Sequence, residues 1–482
     1  MTGYPKCTEG VTVLCILLVF LALNASLFLE GYHGDIRGQQ TWGNQALKNG
    51  VSSLYAEHTT DYPPLYLYVL KFNAWVNLRL FRNTEVMTRN YVFISKMIPT
   101  VCNLTIGLGI FAHFRKRSFK KALLGMCLYL FNPAIVYNTA YWGQVDSVNA
   151  LFMFFCILFL VNERYMWSTI CISLAVLTKI QSIILLPLVL AIVLVNSERK
   201  DVFKMLFANA AVVLTVLMPF IRGGVIVQLV RRCLFSVGWQ PYVTANAYNI
   251  WFLVSPRTPE DWLTTLRDTY TLSGISLRSI GFALIIAYTL LVLYQVLKHR
   301  NLSSSEDSET LSLPTRLHAR EIGKRFLRAG KLRLPSVSKT GGFSRQSFIN
   351  KKNAVIAAAG MTLAFFILPT EIHERYLFPF FPLLSLVVLD NMRYARTYLI
   401  LTFTHLINLM IAFPFQNRDT LFYGTIQTVL DSVTKMDEFA LIGIASAIAA
   451  VNIITFIHYS KIGILQGILN NQTNGLADRR SS

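Results

Sequence analysis

The stretch "VTVLCILLVFLALNASLFLEGYHGDIRGQQTW" (residues 11–42) decides the fold. Its apolar run from Val11 to Leu29 is interrupted by Asn24 and Ser26, then stops at a polar segment bearing Asp35, Arg37, Gln39, Gln40 and Trp42. A run of this length crosses about 30 Å of hydrocarbon as a helix. One preceding lysine and no small-residue cleavage signal make it a retained first span rather than a removed leader. The polar segment behind it is either a surface loop capping a membrane helix or the working end of a site.

The whole chain repeats the pattern. Of its 482 residues 54% are hydrophobic, 13% aromatic and 15% charged, against about 25% charged in soluble domains. Apolar runs of roughly 17–25 residues recur from end to end. Inside a bilayer every backbone polar group needs an internal partner, and these runs lack the alternation of a barrel strand, so the spans are helical. We expect an all-α polytopic membrane protein with about twelve spans, eleven to thirteen. They fall near 11–30, 90–112, 121–137, 147–162, 166–178, 181–196, 205–221, 276–297, 353–369, 376–390, 397–414 and 438–458. The fifth and sixth alternatively form one bent helix around Lys179 and Gln181, and 63–82 reads as a further embedded or interfacial helix. The seven cysteines are scattered without CxxC spacing, which supports neither a metal site nor a disulfide framework.

A net charge of +20 in a soluble protein points to nucleic acid; here the positions of the charges matter more. Lys/Arg clusters lie at "RKRSFKK" (115–121), "SERKDVFK" (197–204), "NMRYAR" (391–396), the C-terminal "DRR" and, most strongly, 298–352. That last segment holds 13 Lys/Arg against four Asp/Glu. Twelve spans put all these clusters on one side, which the positive-inside rule makes the cytoplasm. The expected organisation is an N-terminal transmembrane module (1–297), a basic cytoplasmic loop (298–352), a C-terminal transmembrane module (353–460) and a cytoplasmic tail (461–482). The loop reads as a topology signal, with attraction to anionic lipid headgroups as the alternative.

The same topology leaves four polar segments on the other face: 31 to about 62, "NTAYWGQVDS" (138–147), 222–275 with "TANAYNIW" (244–251), and "TEIHERYLFP" (370–379). Charges near membrane depth are costly, so such clusters are functional hypotheses by default. Asp35 is either a helix cap, or partner of Arg37, or a general base taking a proton from an acceptor hydroxyl. Asp61 in "DYPPLY" reads first as a cap for a helix opened by Pro63 and Pro64. Asp146 is equally an N-terminal helix carboxylate or part of a sugar-contacting surface with Tyr141, Trp142 and Gln144. His373 and Arg375, beside Glu371 and Glu374, suit a phosphate, the guanidinium by a bidentate fork. HExxH is absent, which argues against zinc. Lys179, in "LTKIQSIILLP", either snorkels to the interface or supplies charge to a buried anion. Arg222, Arg231 and Arg232 run against the positive-inside trend and are conceivable lipid-phosphate contacts.

Together these motifs resemble the GT-C superfamily of integral-membrane glycosyltransferases that use polyprenyl-phosphate sugars. "GDIRGQQTW" followed by "DYPPLY" is similar to the first outer loop of dolichyl-phosphate-glucose-dependent glucosyltransferases. "WGQVDS", "LTKIQSIILLP" and "HERYLFP" are more similar to prokaryotic mannosyltransferases of the GPI-anchor type. The glucosyltransferases carry a related His-Glu-Lys element where this chain has His373, Glu374 and Arg375.

The resemblance implies a GT-C-type bundle whose outer-face loops form the active site of an inverting hexosyltransferase, mannose before glucose. It makes Asp35 the base and gives the donor phosphate to His373, Arg375 and Lys179. Trp42, Asp61, Tyr141, Trp142, Gln144, Asp146, Asn249 and Glu374 are the expected substrate contacts. The expected partners are a polyprenyl-phosphate sugar, a hydroxyl acceptor on a glycan, lipid or protein, and membrane lipids, without nucleic acid; no metal or other cofactor is expected. The compartment is a bacterial plasma membrane, or the endoplasmic reticulum membrane in a eukaryote, with the site on the non-cytoplasmic face. A multi-span transporter is the rival from another class, but its internal repeats are not visible.

Overall fold

A computed structural model describes residues 6–30, 34–57, 59–234, 241–255, 266–309, 350–416 and 427–462. Most of the basic 298–352 segment and nearly all of the 461–482 tail lie outside the described residues. Among the described residues six helices are long and apolar enough to cross a bilayer: Thr8–Leu27, Arg89–Arg115, Arg199–Arg222, Leu277–Lys298, Met392–Pro414 and Glu438–Ser460. A seventh follows if the pair Phe119–Leu130 and Pro133–Tyr141, bent by 46°, is one span. By length and apolarity this is fewer than twelve. Asp146–Val161, Tyr165–Thr178 and Ile180–Asn196 are shorter apolar helices, and the expected span 376–390 is broken into Glu374–Leu377, Phe380–Ser385 and Val388–Asp390. Pro379 and Pro382 contribute to that break, since each lacks an N–H.

The breaks have identifiable causes. At the 46° bend Asn132 accepts hydrogen bonds from the Ala134 and Ile135 amides, while its Nδ2 donates to Thr402 Oγ1 at 2.7 Å. Pro133 then opens the next segment in the first-turn position that tolerates its missing N–H. At Lys179 the backbone is extended (φ −149°, ψ 125°), and a tight turn Ile180–Leu185 restarts the chain. The two expected spans are thus separate helices with a non-helical joint at Lys179, not the alternative of one bent helix.

The helix Lys351–Ile367 runs through the centre, buried on nearly every side. Its Ala357, Ala358, Ala359 and Gly360 let neighbours approach closely, as small residues do in membrane bundles. A Cβ on Gly360 would stand 2.9 Å from the Tyr288 hydroxyl and 3.2 Å from Tyr459. At one end of the bundle the charges of the basic clusters find partners: Arg115 bonds Glu9, Arg117 meets Asp390 at 2.8 Å, and Lys351 meets Glu163 at 2.9 Å.

The polar motifs gather elsewhere. The expected loop 31–62 instead holds the helix Gly34–Asn49, which packs against Pro64–Phe81, a helix where the sequence suggests one over 63–82. A Cβ on Gly43 would come within 2.6 Å of the Leu70 carbonyl, so glycine sets their close packing. The segment 241–249 is laced to 371–373: Ala245 N donates to Ile372 O at 2.9 Å and Glu371 N to Tyr242 O at 3.2 Å. Arg278 locks the other side, donating to both oxygens of fully buried Asp268 (2.6 and 2.9 Å) and meeting Glu371 at 3.1 Å. Replacing Arg278 by Met strands the Asp268 charge. It is expected to lower stability by about 2–3 kcal/mol, read as a fall in the thermal midpoint of detergent-solubilised protein; no fall would show that the latch bears no load.

Candidate functional site

Asp35 stands in the first turn of the helix Gly34–Asn49, where exposed amides and the helix dipole favour a carboxylate. It is exposed, and its Oδ2 accepts the Gln144 Nε2 amide at 2.7 Å. Gln144 follows a π-helical turn, Tyr137–Tyr141, of a kind that often marks functional sites. Gly143 between them has φ 77°, a conformation that favours glycine.

Two residues on, Asp146 opens the helix Asp146–Val161 at its first helical position rather than capping it; Val145 is the cap. Lys179 does not snorkel. It is 6% exposed, and its Nζ lies 2.5 Å from Asp146 Oδ1 and 5.2 Å from the Tyr376 ring centroid. The extended joint at Lys179 turns its ammonium inward, and the pairing keeps both charges matched in a buried setting. Asn138 Nδ2 donates to the other Asp146 oxygen at 3.4 Å. A narrow cleft opens here, polar along Asp146, Lys179, Gln181 and Tyr376, and apolar along Met153, Ile184 and Phe365.

The segment 373–377 brings the second charged pair. Arg375 Nη1 donates to Glu374 Oε1 at 3.0 Å, and His373 Nδ1 lies 3.8 Å from Glu374 Oε2. Burial pushes the Glu374 carboxyl up, yet the His373 imidazole and the Arg375 guanidinium outweigh burial and hold it below the usual carboxylate range. Arg375 Nε and His373 Nδ1 are buried without a hydrogen-bond partner among the described residues. Arg375 also feels the charges of Asp35 and Asp146, so residues far apart in sequence share one electrostatic neighbourhood.

The expected substrate contacts divide. Trp42 is partly buried and lies 5.8 Å from the Tyr62 ring. Asp61 is exposed and caps nothing, because Pro63 holds the cap position of the next helix. Tyr141 and Trp142 are fully buried against Phe413, at 5.3 and 5.1 Å, as packing of the core rather than an open sugar platform. Asn249 is committed to structure: it caps Ile250–Val254 and donates to Phe366 O at 3.2 Å. Arg231 and Arg232 border a separate groove with Val227 and Gln228.

Tyr62 and Lys96 carry no motif signal of their own. Burial and neighbouring carboxylates, against the Arg375 charge, push the Tyr62 phenol up, so it stays protonated and a donor at neutral pH. Its signal was its place inside "DYPPLY". Among the described residues no group of three His, Cys, Asp or Glu is arranged to hold a metal ion.

The depressed Glu374 carboxyl has a pH signature. A carboxyl held below its unfolded value stabilises the fold above the unfolded carboxylate range, and the contribution is lost as pH falls through the folded value. Thermal midpoints of wild type are expected to drop through the acid range below about pH 4, while Glu374→Gln, lower at pH 7, is flatter there. Parallel profiles would dismiss the pairing as a stabilising element.

A model of the PIG-U family, described as a GPI transamidase subunit, matches residues 43–253, less than half of the chain. No curated protein matches. The chain is similar at 12% identity to ArnT from Cupriavidus metallidurans bound to undecaprenyl phosphate, covering 95% of this chain and 78% of that one with a TM-score of 0.44. The apo ArnT structure gives the same coverage and identity with a TM-score of 0.42. The resemblance of the motifs to the GT-C superfamily is supported by the similarity of residues 43–253 to PIG-U, and the chain is a multi-pass helical membrane protein.

Proposed function

We propose that this chain transfers a hexose, mannose before glucose, from a polyprenyl-phosphate donor to a hydroxyl acceptor, with inversion. One observation carries the reading: a buried guanidinium with an unpartnered Nε, Arg375, lies within Coulombic reach of the exposed carboxylate of Asp35. A base and a phosphate clamp on one site are what displacement of a lipid phosphate by a hydroxyl requires.

In this mechanism Asp35 takes the acceptor hydroxyl proton as the oxygen attacks the anomeric carbon. The bond to the lipid phosphate breaks on the opposite face. Arg375 Nε and His373 donate to the phosphate oxygens as charge develops there, and such fixed donors lower the barrier more than they tighten ground-state binding. Glu374 holds Arg375 in place. Lys179 neutralises Asp146 and has further N–H groups to offer the cleft. A monophosphate leaving group met by side chains needs no metal. The site is assigned to the non-cytoplasmic face, in a bacterial plasma membrane or, in a eukaryote, that of the endoplasmic reticulum.

The similarity to PIG-U favours a second reading, in which the chain binds a lipid-linked glycan as a noncatalytic subunit of a larger assembly. Purified protein incubated with labelled polyprenyl-phosphate mannose and, separately, glucose distinguishes the two. On the catalytic reading one sugar is transferred, and Asp35→Asn slows transfer by roughly 10²–10⁴-fold with donor binding kept. Undiminished transfer by Asp35→Asn sinks the assignment of the base. Donor binding without any transfer by wild type favours the subunit.

A further inference from the structure

We propose that Lys96, deep in the helix Arg89–Arg115, is a positioning residue that holds Gln144 against Asp35; its catalytic consequence rests on the reading of Asp35 as the base. Lys96 is fully buried, and its Nζ donates to the Tyr141 carbonyl at 2.7 Å. An ionisable side chain inside a span is costly and is retained where it serves a site. Glu30, in the turn that follows the first helix, supplies an opposite charge.

The carbonyl that Lys96 takes belongs to the last residue of the π-helical turn. Next comes the seat of Gly143. A Cβ there would stand 2.9 Å from Lys96 Cε and 2.8 Å from Ile36 Cδ1. The glycine is thus clamped between the lysine stem and the residue that follows Asp35. Gln144 emerges directly from this clamp and donates to Asp35 Oδ2 at 2.7 Å. Backbone bonds fix the rest of the loop: Trp142 N donates to Tyr137 O at 2.9 Å and Gln144 N to Asn138 O at 3.0 Å. The Lys96 bond therefore sets the height of the loop beneath the carboxylate, without touching the donor.

A merely structural lysine and a positioning lysine predict different kinetics. In Lys96→Met, which keeps the stem and removes the donor, kcat is expected to fall about 10- to 100-fold, with donor KM within about twofold. Lys96→Arg restores most of kcat, and Gly143→Ala, which pushes the same seat apart, reproduces the Met phenotype. An unchanged kcat in folded Lys96→Met, or kcat and KM degraded together, overturns the proposal.

A second measurement is independent of transfer. A carboxylate that accepts an amide N–H resists protonation, so carbodiimide labelling of Asp35, followed by peptide mass analysis, reports the Gln144 contact directly. Labelling is expected to accelerate severalfold in Lys96→Met and Gly143→Ala, and an unchanged rate in both overturns the positioning role. Wild type inactive in transfer, but with labelling that responds to Lys96→Met, sinks the enzymatic reading and leaves the positioning intact.

Discussion

A charge that leaves water must bring its counter-charge with it, and the Asp146–Lys179 pair is where this chain obeys that rule most fully. One residue opens the helix Asp146–Val161 and the other sits in the extended joint after Tyr165–Thr178, and both are buried. An unpaired ion at that depth costs several kcal/mol, so the pair fixes how the start of Asp146–Val161 meets the extended joint at Lys179. The joint interrupts an otherwise continuous apolar helix, turns an ammonium inward and opens the cleft. Tyr376 roofs the pair with its ring, which ties the segment carrying His373, Glu374 and Arg375 to the same centre. The first-turn carboxylate Asp35 reaches that centre through Gln144, two residues before Asp146 in the chain.

The site is therefore assembled from matched pairs. Lys179 answers Asp146, and Arg375 with His373 answers Glu374. Beside the pairs stand a buried guanidinium nitrogen, Arg375 Nε, without a hydrogen-bond partner among the described residues, and the Asp35 carboxylate, held by Gln144 at the exposed margin. That division suits a reaction in which an anionic leaving group departs on one side and a proton is taken on the other.

Much of this was legible residue by residue. Asp35, Gln144, Asp146, Lys179 and the His373–Arg375 element stand out because polar groups are costly beside apolar runs. Their aromatic neighbours misled: Tyr141 and Trp142 look like a sugar platform in "AYWGQ", but the π-helical turn rotates both into contact with Phe413. Asn249 was an expected contact through the resemblance alone, and its oxygen and nitrogen are consumed by a helix cap and by a carbonyl 117 residues away. Lys96 gave no warning because a single lysine in a span reads as a snorkelling side chain until its partner is known.

The sequence by itself determined the class: apolar runs with no water to satisfy their backbones must be helices in a membrane, and polar residues that interrupt them must be used. It also determined the order of the motifs and their similarity to one superfamily. Only the tertiary structure decided which charges cancel. Lys179 binds Asp146 rather than the interface, Arg278 binds Asp268 and Glu371, and Lys96 binds a backbone carbonyl 45 residues on. The physical reason is that pairing energies depend on separation and burial. Both are set by how elements pack, and that packing depends on small residues such as Gly43 and Gly360 in helices and Gly143 in a loop, whose effect is felt only when another element packs against them.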